Sequence, residues 1–156
     1  MGESLSSSGA VVIGIGNLDR GDDGVGRIVA RLLRSHLGTQ VVEQDGEATA
    51  LLAVLQSVDR AWLIDAAESG ASAGTIHRID CTTNKVPPRG NFSSHGFGVA
   101  EAIELARTLG TLPQHCVVYA IEAADFTHGA AVSPPVMQAV NEVAELILAE
   151  ITQPPP

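Results

Sequence analysis

Residues 14–26 read GIGNLDRGDDGVG and connect two segments with different hydrophobic periods. Before them, residues 10–15 form a nearly all-apolar run, which predicts a buried strand. After them, apolar side chains recur at helical spacing, which predicts a helix. These side chains belong to Val25, Ile28, Val29, Leu32, Leu33 and Leu37. The stretch is therefore predicted to be a strand-to-helix turn, the place where many α/β proteins bind their ligands.

The rest of the chain repeats this alternation of strands and helices. Strands are predicted at 40–43, 61–64, 74–79 and 116–121, and helices at 48–56, 95–109 and 134–151. Only eight residues, 66–73, separate the third strand from the fourth, which is too short for a parallel crossover, so the fourth strand is predicted to be antiparallel. The prediction is a three-layer α/β/α sandwich around a twisted, mostly parallel five-stranded sheet.

Hydrophobic spacing also predicts the buried faces of the later helices. In the third helix the side chains predicted to point mostly inward are Val99, Ile103, Leu105 and Leu109. In the fourth helix one stripe contains Val136, Val140, Val143, Leu146, Ile147 and Ile151. Ser133 is a natural N-cap for this last helix, and Pro134 suits its first turn.

Composition and charge narrow the class of protein. With 156 residues, 45% of them hydrophobic, the chain is predicted to form one domain at 10–152 with loose tails at 1–9 and 153–156. A net charge of −9 disfavours nucleic acid and anionic membranes as partners. The two cysteines, Cys81 and Cys116, do not make a disulfide framework. Because no signal peptide or membrane span is evident, we expect a cytoplasmic protein.

The glycine-rich turn resembles a phosphate-binding loop only in part. Gly14 and Gly16 match two glycines of the dinucleotide fingerprint, but Asp19 occupies the third glycine position. Asp22 and Asp23 would repel a pyrophosphate at the start of the helix. A nucleotide-binding domain is therefore disfavoured, and a cation fits the turn better. The structural alternative is that Asp22 is an N-cap and Asp23 an ordinary first-turn acid.

Two other polar residues are predicted to lie at the same edge of the sheet as this turn. Asp65 ends an apolar strand, and His95 opens the third helix beside two glycines. A loop cap for Asp65 and a surface position for His95 are the structural alternatives. However, two carboxylates with one imidazole suit a divalent transition metal. Asp23, Asp65 and His95 are therefore the candidate metal ligands.

The remaining nucleophiles and histidines do not form a recognised catalytic arrangement. Neither cysteine has a paired histidine, and no serine lies in a G-x-S-x-G elbow. The other histidines fall on a helix end, a strand, a strand start and a loop, where structural roles are expected. They are His36, His77, His115 and His128.

Motifs along the chain resemble those of the hydrogenase maturation proteases, the endopeptidases that trim the large subunit of nickel-iron hydrogenases. The opening motif is GIGN at 14–17 followed by DDGVG at 22–26. Later segments agree in order and spacing: Asp45-Gly46, Leu63-Ile64-Asp65-Ala66, Ser94-His95-Gly96 and, more weakly, Ile121-Glu122 ahead of Val132-Ser133-Pro134. The resemblance spans nearly the whole chain.

This resemblance implies both a site and an activity. It assigns Asp23, Asp65 and His95 as the metal-binding and catalytic trio, with Asp23 at a position where the family has Glu or Asp. It implies an endopeptidase that removes a C-terminal extension from the precursor of a hydrogenase large subunit. The nickel that it recognises is carried by that substrate. Asp45 would help to shape the cleft. A nonenzymatic nickel-sensing or assembly module is the alternative on the same fold.

Overall fold

A computed structural model of the chain describes residues 9–83 and 96–153. The strands are β1 (Ala10–Ile15), β2 (Val41–Gln44), β3 (Arg60–Ala67), β4 (Ile76–Asp80) and β5 (His115–Glu122). The helices are α1 (Val25–Leu37), α2 (Ala48–Leu55), α3 (Gly96–Leu109) and α4 (Pro134–Ile151), with short 3₁₀ turns at Gly21–Gly24 and Gly38–Gln40. The predicted order of strands and helices is confirmed.

The five strands form one sheet with the order β2-β1-β3-β5-β4. Strands β2, β1, β3 and β5 run parallel, and β4 is antiparallel to β5, which confirms the prediction for the fourth strand. The strand order reverses at β1, since β2 lies on one side of it and β3 on the other. The carboxyl ends of β1 and β3 therefore form the topological switch point, where sheets of this kind bind ligands.

Helices cover both faces of the sheet and complete the predicted three layers. Helices α1 and α4 pack on one face, while α2 and α3 pack on the other. Alternation along β3 sends Trp62 and Ile64 into the first layer and Leu63 and Ala67 into the second. All four side chains are almost completely buried. Among the described residues, no helix is both long and apolar enough to cross a membrane.

Strand β3 extends three residues beyond the predicted end at Ile64. Asp65 therefore lies within the strand rather than after it. The reason is pairing with β5, whose Ala120 lies opposite Asp65 and whose Glu122 lies opposite Ala67. Asp65 remains in the strand because its backbone pairs with β5. Hydrophobic periodicity does not detect this pairing.

The predicted inward faces of the last two helices are wrong at three leucines. Leu105 and Leu109 are 46% and 53% exposed, and Leu146 is 40% exposed. In α3 the buried positions are Val99 and Ile103 together with alanines on the same face. Leu105 lies two residues past Ile103, which is about 200° around the helix, so it faces solvent.

A polar network fastens α4 to the sheet at the edge opposite the switch point. Glu150 accepts hydrogen bonds from Trp62 Nε1 at 2.9 Å and from Arg78 Nη2 at 2.9 Å, and the Tyr119 hydroxyl also donates to it. Arg60 donates to carbonyl oxygens at the end of α4. This network stabilises the amino edge of the sheet and leaves the carboxyl edge to the candidate site.

Candidate active site at the carboxyl edge of the sheet

The turn after β1 depends on the close approach of two backbone segments. Gly16 has a φ of 145°, which an L side chain rarely adopts. A Cβ atom placed on Gly16 would lie 1.9 Å from the carbonyl oxygen of Asp23. Only glycine therefore lets the Gly21–Gly24 turn fold back onto the end of β1. This local geometry carries Asp23 to the switch point.

Asp23 is held inside that turn. Its side chain is 0% exposed, and its Oδ2 accepts a hydrogen bond from the backbone N–H of Asn17 at 3.2 Å. The Asn17 side chain in turn accepts from the N–H of Asp19 at 2.8 Å. The segment between β1 and the 3₁₀ turn is thus organised by side-chain acceptors that bind its own backbone.

Asp22 has a different role from the predicted cap. Gly24 is the N-cap residue of α1, and no side chain caps that end. Instead, Asp22 Oδ2 accepts from the backbone N–H of Ala124 at 2.7 Å and of Asp125 at 3.0 Å. Ser133 donates its backbone N–H and its hydroxyl to the same carboxylate, at 2.7 and 2.8 Å. Asp22 therefore joins the start of α1 to the loop after β5.

The start of α4 agrees with the sequence except for one detail. Ser133 is the N-cap residue and proline occupies the first helical positions, as predicted. However, the Ser133 side chain does not cap its own helix, because its hydroxyl donates to Asp22. The cap prediction identified the right residue and the wrong partner.

Asp65 lies in β3 at the same carboxyl edge as the turn. Its side chain is 0% exposed, and Oδ1 accepts from the backbone N–H of Ala66 at 2.8 Å. A Cβ atom on Gly26 would lie 2.1 Å from the carbonyl oxygen of Ile64, so α1 begins directly against the residue before Asp65. The Gly21–Gly24 turn also contacts β3. The structure therefore brings the elements that carry Asp23 and Asp65 together, although both side chains are buried rather than at an open edge.

His95, the third predicted ligand, lies outside the described residues. The helix that follows it begins at Gly96, and a Cβ atom on Gly98 would lie 1.9 Å from the carbonyl oxygen of Gly46. The first turn of α3 thus packs against the segment that leaves β2, at the carboxyl edge. Within residues 9–83 and 96–153 no group of three His, Cys, Asp or Glu side chains could hold a metal ion. The trio remains a prediction.

Asp45, which was considered for shaping the cleft, is exposed and makes a local contact. Its Oδ1 accepts from the backbone N–H of Glu47 at 3.2 Å. Glu47 is the N-cap residue of α2, and its carboxylate accepts from the N–H groups of Thr49 and Ala50. The described contacts of Asp45 therefore organise the turn before α2.

Glu122 is a buried acid that sequence reasoning did not assign to the site. It ends β5, is 2% exposed, and accepts from the backbone and hydroxyl of Ser69, both at 2.7 Å. Gly70 N–H at 3.2 Å and His77 Nε2 at 3.1 Å complete its partners. Glu122 lies opposite Ala67 in the parallel ladder, so the Glu122 side chain is on the same sheet face as those of Ala67 and Asp65. The signal that marked Asp65, an acid at the end of an apolar strand, is also present here.

The hydrogen bonds of Glu122 make protein stability depend on pH. Burial raises its pKa, but donation from Ser69, His77 and Gly70 outweighs burial and lowers the pKa below the ordinary value of 4.5. A carboxyl group with a lowered folded-state pKa stabilises the fold above pH 4.5, and this contribution is lost as pH falls through the folded-state pKa.

Glu122→Gln is therefore expected to lower the free energy of unfolding at pH 7. In this variant the free energy of unfolding should also fall less steeply as the pH drops below 4.5. The amide places an N–H₂ group among donors and cannot ionise. Urea denaturation between pH 7 and pH 3 measures both effects. Glu142→Gln, at an exposed position on α4, is the control that should follow the wild type. An unchanged pH dependence in Glu122→Gln would contradict the assignment.

Comparison with known proteins identifies relatives in one family of peptidases. A family model described as hydrogenase maturation protease matches residues 27–150. The hydrogenase expression/formation protein HupD of Thiocapsa roseopersicina is 28% identical over 153 residues, which cover 92% of this chain and 67% of that protein. A putative hydrogenase maturation protease of Methanocaldococcus jannaschii is 28% identical over 149 residues, which cover 90% and 95% of the two chains.

Solved structures share the fold. The hydrogenase maturating endopeptidase HybD from E. coli has a TM-score of 0.74 and 22% identity, with 91% of each chain covered. The NiFe hydrogenase maturation protease HybD from Thermococcus kodakarensis has a TM-score of 0.74 and 20% identity, with 92% of this chain and 99% of that chain covered. Asp65 lies within the part that the family model matches, and Asp23 precedes it. Because that match spans most of the chain, the protein belongs to the hydrogenase maturation protease family, a family of endopeptidases.

Proposed function

We propose that this protein removes a C-terminal extension from the nickel-loaded precursor of a nickel-iron hydrogenase large subunit. Family membership supports the peptidase class. The observation that carries the proposal is that two buried acids, Asp23 and Asp65, lie on elements that contact each other at the carboxyl edge of the sheet, where the first turn of α3 also packs. The chain has carboxyl side chains at this edge, where nucleotide-binding proteins of the same architecture present backbone amides.

The nickel in this proposal is part of the substrate. Asp23, Asp65 and His95 would hold it through two carboxylates and an imidazole, a ligand set that suits a divalent transition metal. An ionised carboxylate is costly to bury alone, so a cation that pairs with it offsets that cost. When bound, nickel polarises a neighbouring peptide carbonyl.

The remaining chemistry belongs to the chain's own carboxylates. A carboxylate beside the scissile bond orients a water molecule and accepts one of its protons, while the water oxygen bonds to the carbonyl carbon. The carbon–nitrogen bond breaks, and the amine of the released extension takes a proton. Recognition and cutting are linked, because a precursor without nickel lacks the contact that positions its C-terminal segment.

We place this reaction in the cytoplasm. Cys81 and Cys116 are both free and buried, as is usual for proteins of a reducing compartment. The partner in this proposal is the large-subunit precursor itself. The net charge of −9 disfavours nucleic acid and anionic membranes as further partners.

The decisive experiment compares two forms of one precursor. Purified protein is incubated with nickel-loaded and nickel-free large-subunit precursor, and the C-terminal mass of each is followed by mass spectrometry. The extension is expected to be lost from the loaded form alone. Retention of the extension by the loaded form would refute the proposal, and stable binding without cutting would favour the nonenzymatic assembly module. Equal cutting of both forms would refute nickel recognition.

A further inference from the structure

Helix α1 carries three arginines that surround a single carboxylate. Glu43 of β2 contacts Arg27 Nε at 2.9 Å, Arg31 Nε at 3.1 Å and Arg34 Nη1 at 2.7 Å. The Glu43 side chain is 10% exposed, whereas those of Arg31 and Arg34 are 54% and 44% exposed. Partial burial raises the pKa of Glu43, but the three guanidinium groups hold it at about 2, so the carboxylate stays ionised.

This arrangement leaves an excess of positive charge on a strongly acidic protein. Three cations face one anion, while the whole chain has a net charge of −9. Each guanidinium has about five N–H donors, far more than the roughly four acceptor positions of a carboxylate can use. Exposed ion pairs add little to stability. The additional arginines therefore offer donors to a partner from outside the fold.

The arginine stripe begins at the candidate active site. Arg27 is four residues beyond Asp23, and its Nη1 lies 3.5 Å from the carbonyl oxygen of Gly16 in the turn. The helical rise places Arg31 about 6 Å and Arg34 about 10 Å farther along α1. Alternate side chains of an extended peptide are about 6.6 Å apart, close to the rise of about 6 Å from Arg27 to Arg31. The rise from Arg31 to Arg34 is about 4.5 Å, and the long arginine side chains can span the difference. Among the described strands, β2 lies at the sheet edge beside the stripe.

We infer that Arg27, Arg31 and Arg34 form a docking surface for an acidic, extended segment of the precursor close to the scissile bond. This inference rests on the proposed function, since it concerns the same substrate. Charge complementarity selects the occupant, because guanidinium groups pair with carboxylates in bidentate hydrogen bonds. The surface attracts that segment to a position beside the site, while the net charge of −9 disfavours its approach to acidic parts of the protein.

The first test compares processing by the wild type and by the double variant Arg31→Gln/Arg34→Gln. At low ionic strength the variant is expected to have a KM about tenfold higher with kcat unchanged, and this difference should shrink at high salt. Its thermal midpoint is expected to fall, because Glu43 loses two of its three guanidinium partners, so processing is assayed well below that midpoint. A purely structural role of the arginines does not produce a salt-dependent change in KM alone. Gln138→Glu/Gln153→Glu changes the net charge equally at exposed positions on and after α4 and should process normally.

The second test does not depend on processing. A fluorescein-labelled peptide of alternating glutamate and valine is titrated with the protein, and binding is followed by fluorescence anisotropy beside its glutamine analogue. The wild type is expected to bind the acidic peptide at least about tenfold more tightly than the analogue, and the double arginine variant should lose this preference.

The two tests separate this inference from the proposed function. If the wild type does not process the loaded precursor yet binds the acidic peptide through Arg31 and Arg34, the function fails and the surface stands. If the wild type processes the precursor and neither KM nor peptide binding changes in the variant, the surface is refuted and the function stands. Absence of arginine-dependent peptide binding in any case counts against the surface.

Discussion

Asp23→Asn is expected to lower kcat/KM for the nickel-loaded precursor by about 100- to 1,000-fold, whereas Asp22→Asn is expected to leave processing largely intact. The two acids are adjacent, yet the structure gives them different surroundings. Asp23 lies in the turn against the end of β1, and Asp22 binds the loop after β5. Asparagine removes the carboxyl group that the proposed site requires while keeping an acceptor for the N–H of Asn17.

Asp22→Asn is expected to destabilise the protein more than Asp23→Asn does. All the described partners of the Asp22 carboxylate are donors, and an asparagine there presents one oxygen and one N–H₂ group to them. We expect a loss of about 1–3 kcal/mol in the free energy of unfolding for Asp22→Asn. Asp19→Asn, at an exposed position in the same turn, should change neither stability nor processing.

Parallel measurements of processing and urea denaturation decide between the two roles. Asp65→Asn should lose processing as Asp23→Asn does, because Asp65 is also a candidate metal ligand. Normal processing by either variant would remove that residue from the site. Asparagine is preferred to alanine because both side chains are 0% exposed, so truncation would leave a buried gap and would also remove the hydrogen-bond acceptor.

Gly26→Ala is expected to destabilise the protein by about 3 kcal/mol and to reduce processing roughly a hundredfold. The added Cβ would lie 2.1 Å from the carbonyl oxygen of Ile64 and 2.5 Å from that of Ile15. Both atoms are strand backbone, which cannot rotate away as a side chain can. Helix α1 must therefore move off the sheet, and the turn that carries Asp23 moves with it.

Gly38→Ala is the matched control for this effect. Gly38 follows α1 with a φ of 58°, and a Cβ atom there would have no neighbour within 4 Å. Only the backbone conformation, φ 58° with ψ −123°, is then unfavourable, which costs about 1–3 kcal/mol, and processing should remain normal. If the urea midpoint of Gly26→Ala equals that of the wild type, α1 and the sheet tolerate the added methyl group, and the steric argument is wrong.

Much of the architecture was predictable because it depends on local patterns. Apolar runs and helical spacing identified the five strands and four α-helices that the structure describes, and the short connection after β3 identified the antiparallel strand. The exposed Leu105 shows the limit of this reasoning. A hydrophobic residue is not buried by its type alone, and only the packing of α3 on the sheet shows which side of the helix faces inward.

The candidate site was predictable only in part. The acid in the turn after β1 and the acid near the end of β3 could be seen in the sequence, since carboxyl ends of parallel strands meet at one edge. The partner of Asp22 could not, because Ser133 is 111 residues away and a local N-cap explains the same residue type equally well. The predicted role of His95 is still to be tested.

By itself, the sequence determined the α/β fold, the glycine-rich turn and the presence of acids at its end. The tertiary structure decided which acid joins distant loops, that Asp23 and Asp65 are buried, and that Glu122 fixes the chain leaving β3. The physical reason is the range of the interactions. Periodicity, turns and chain length act between near neighbours, whereas burial and the hydrogen bonds of a carboxylate depend on segments that meet only when the sheet has formed.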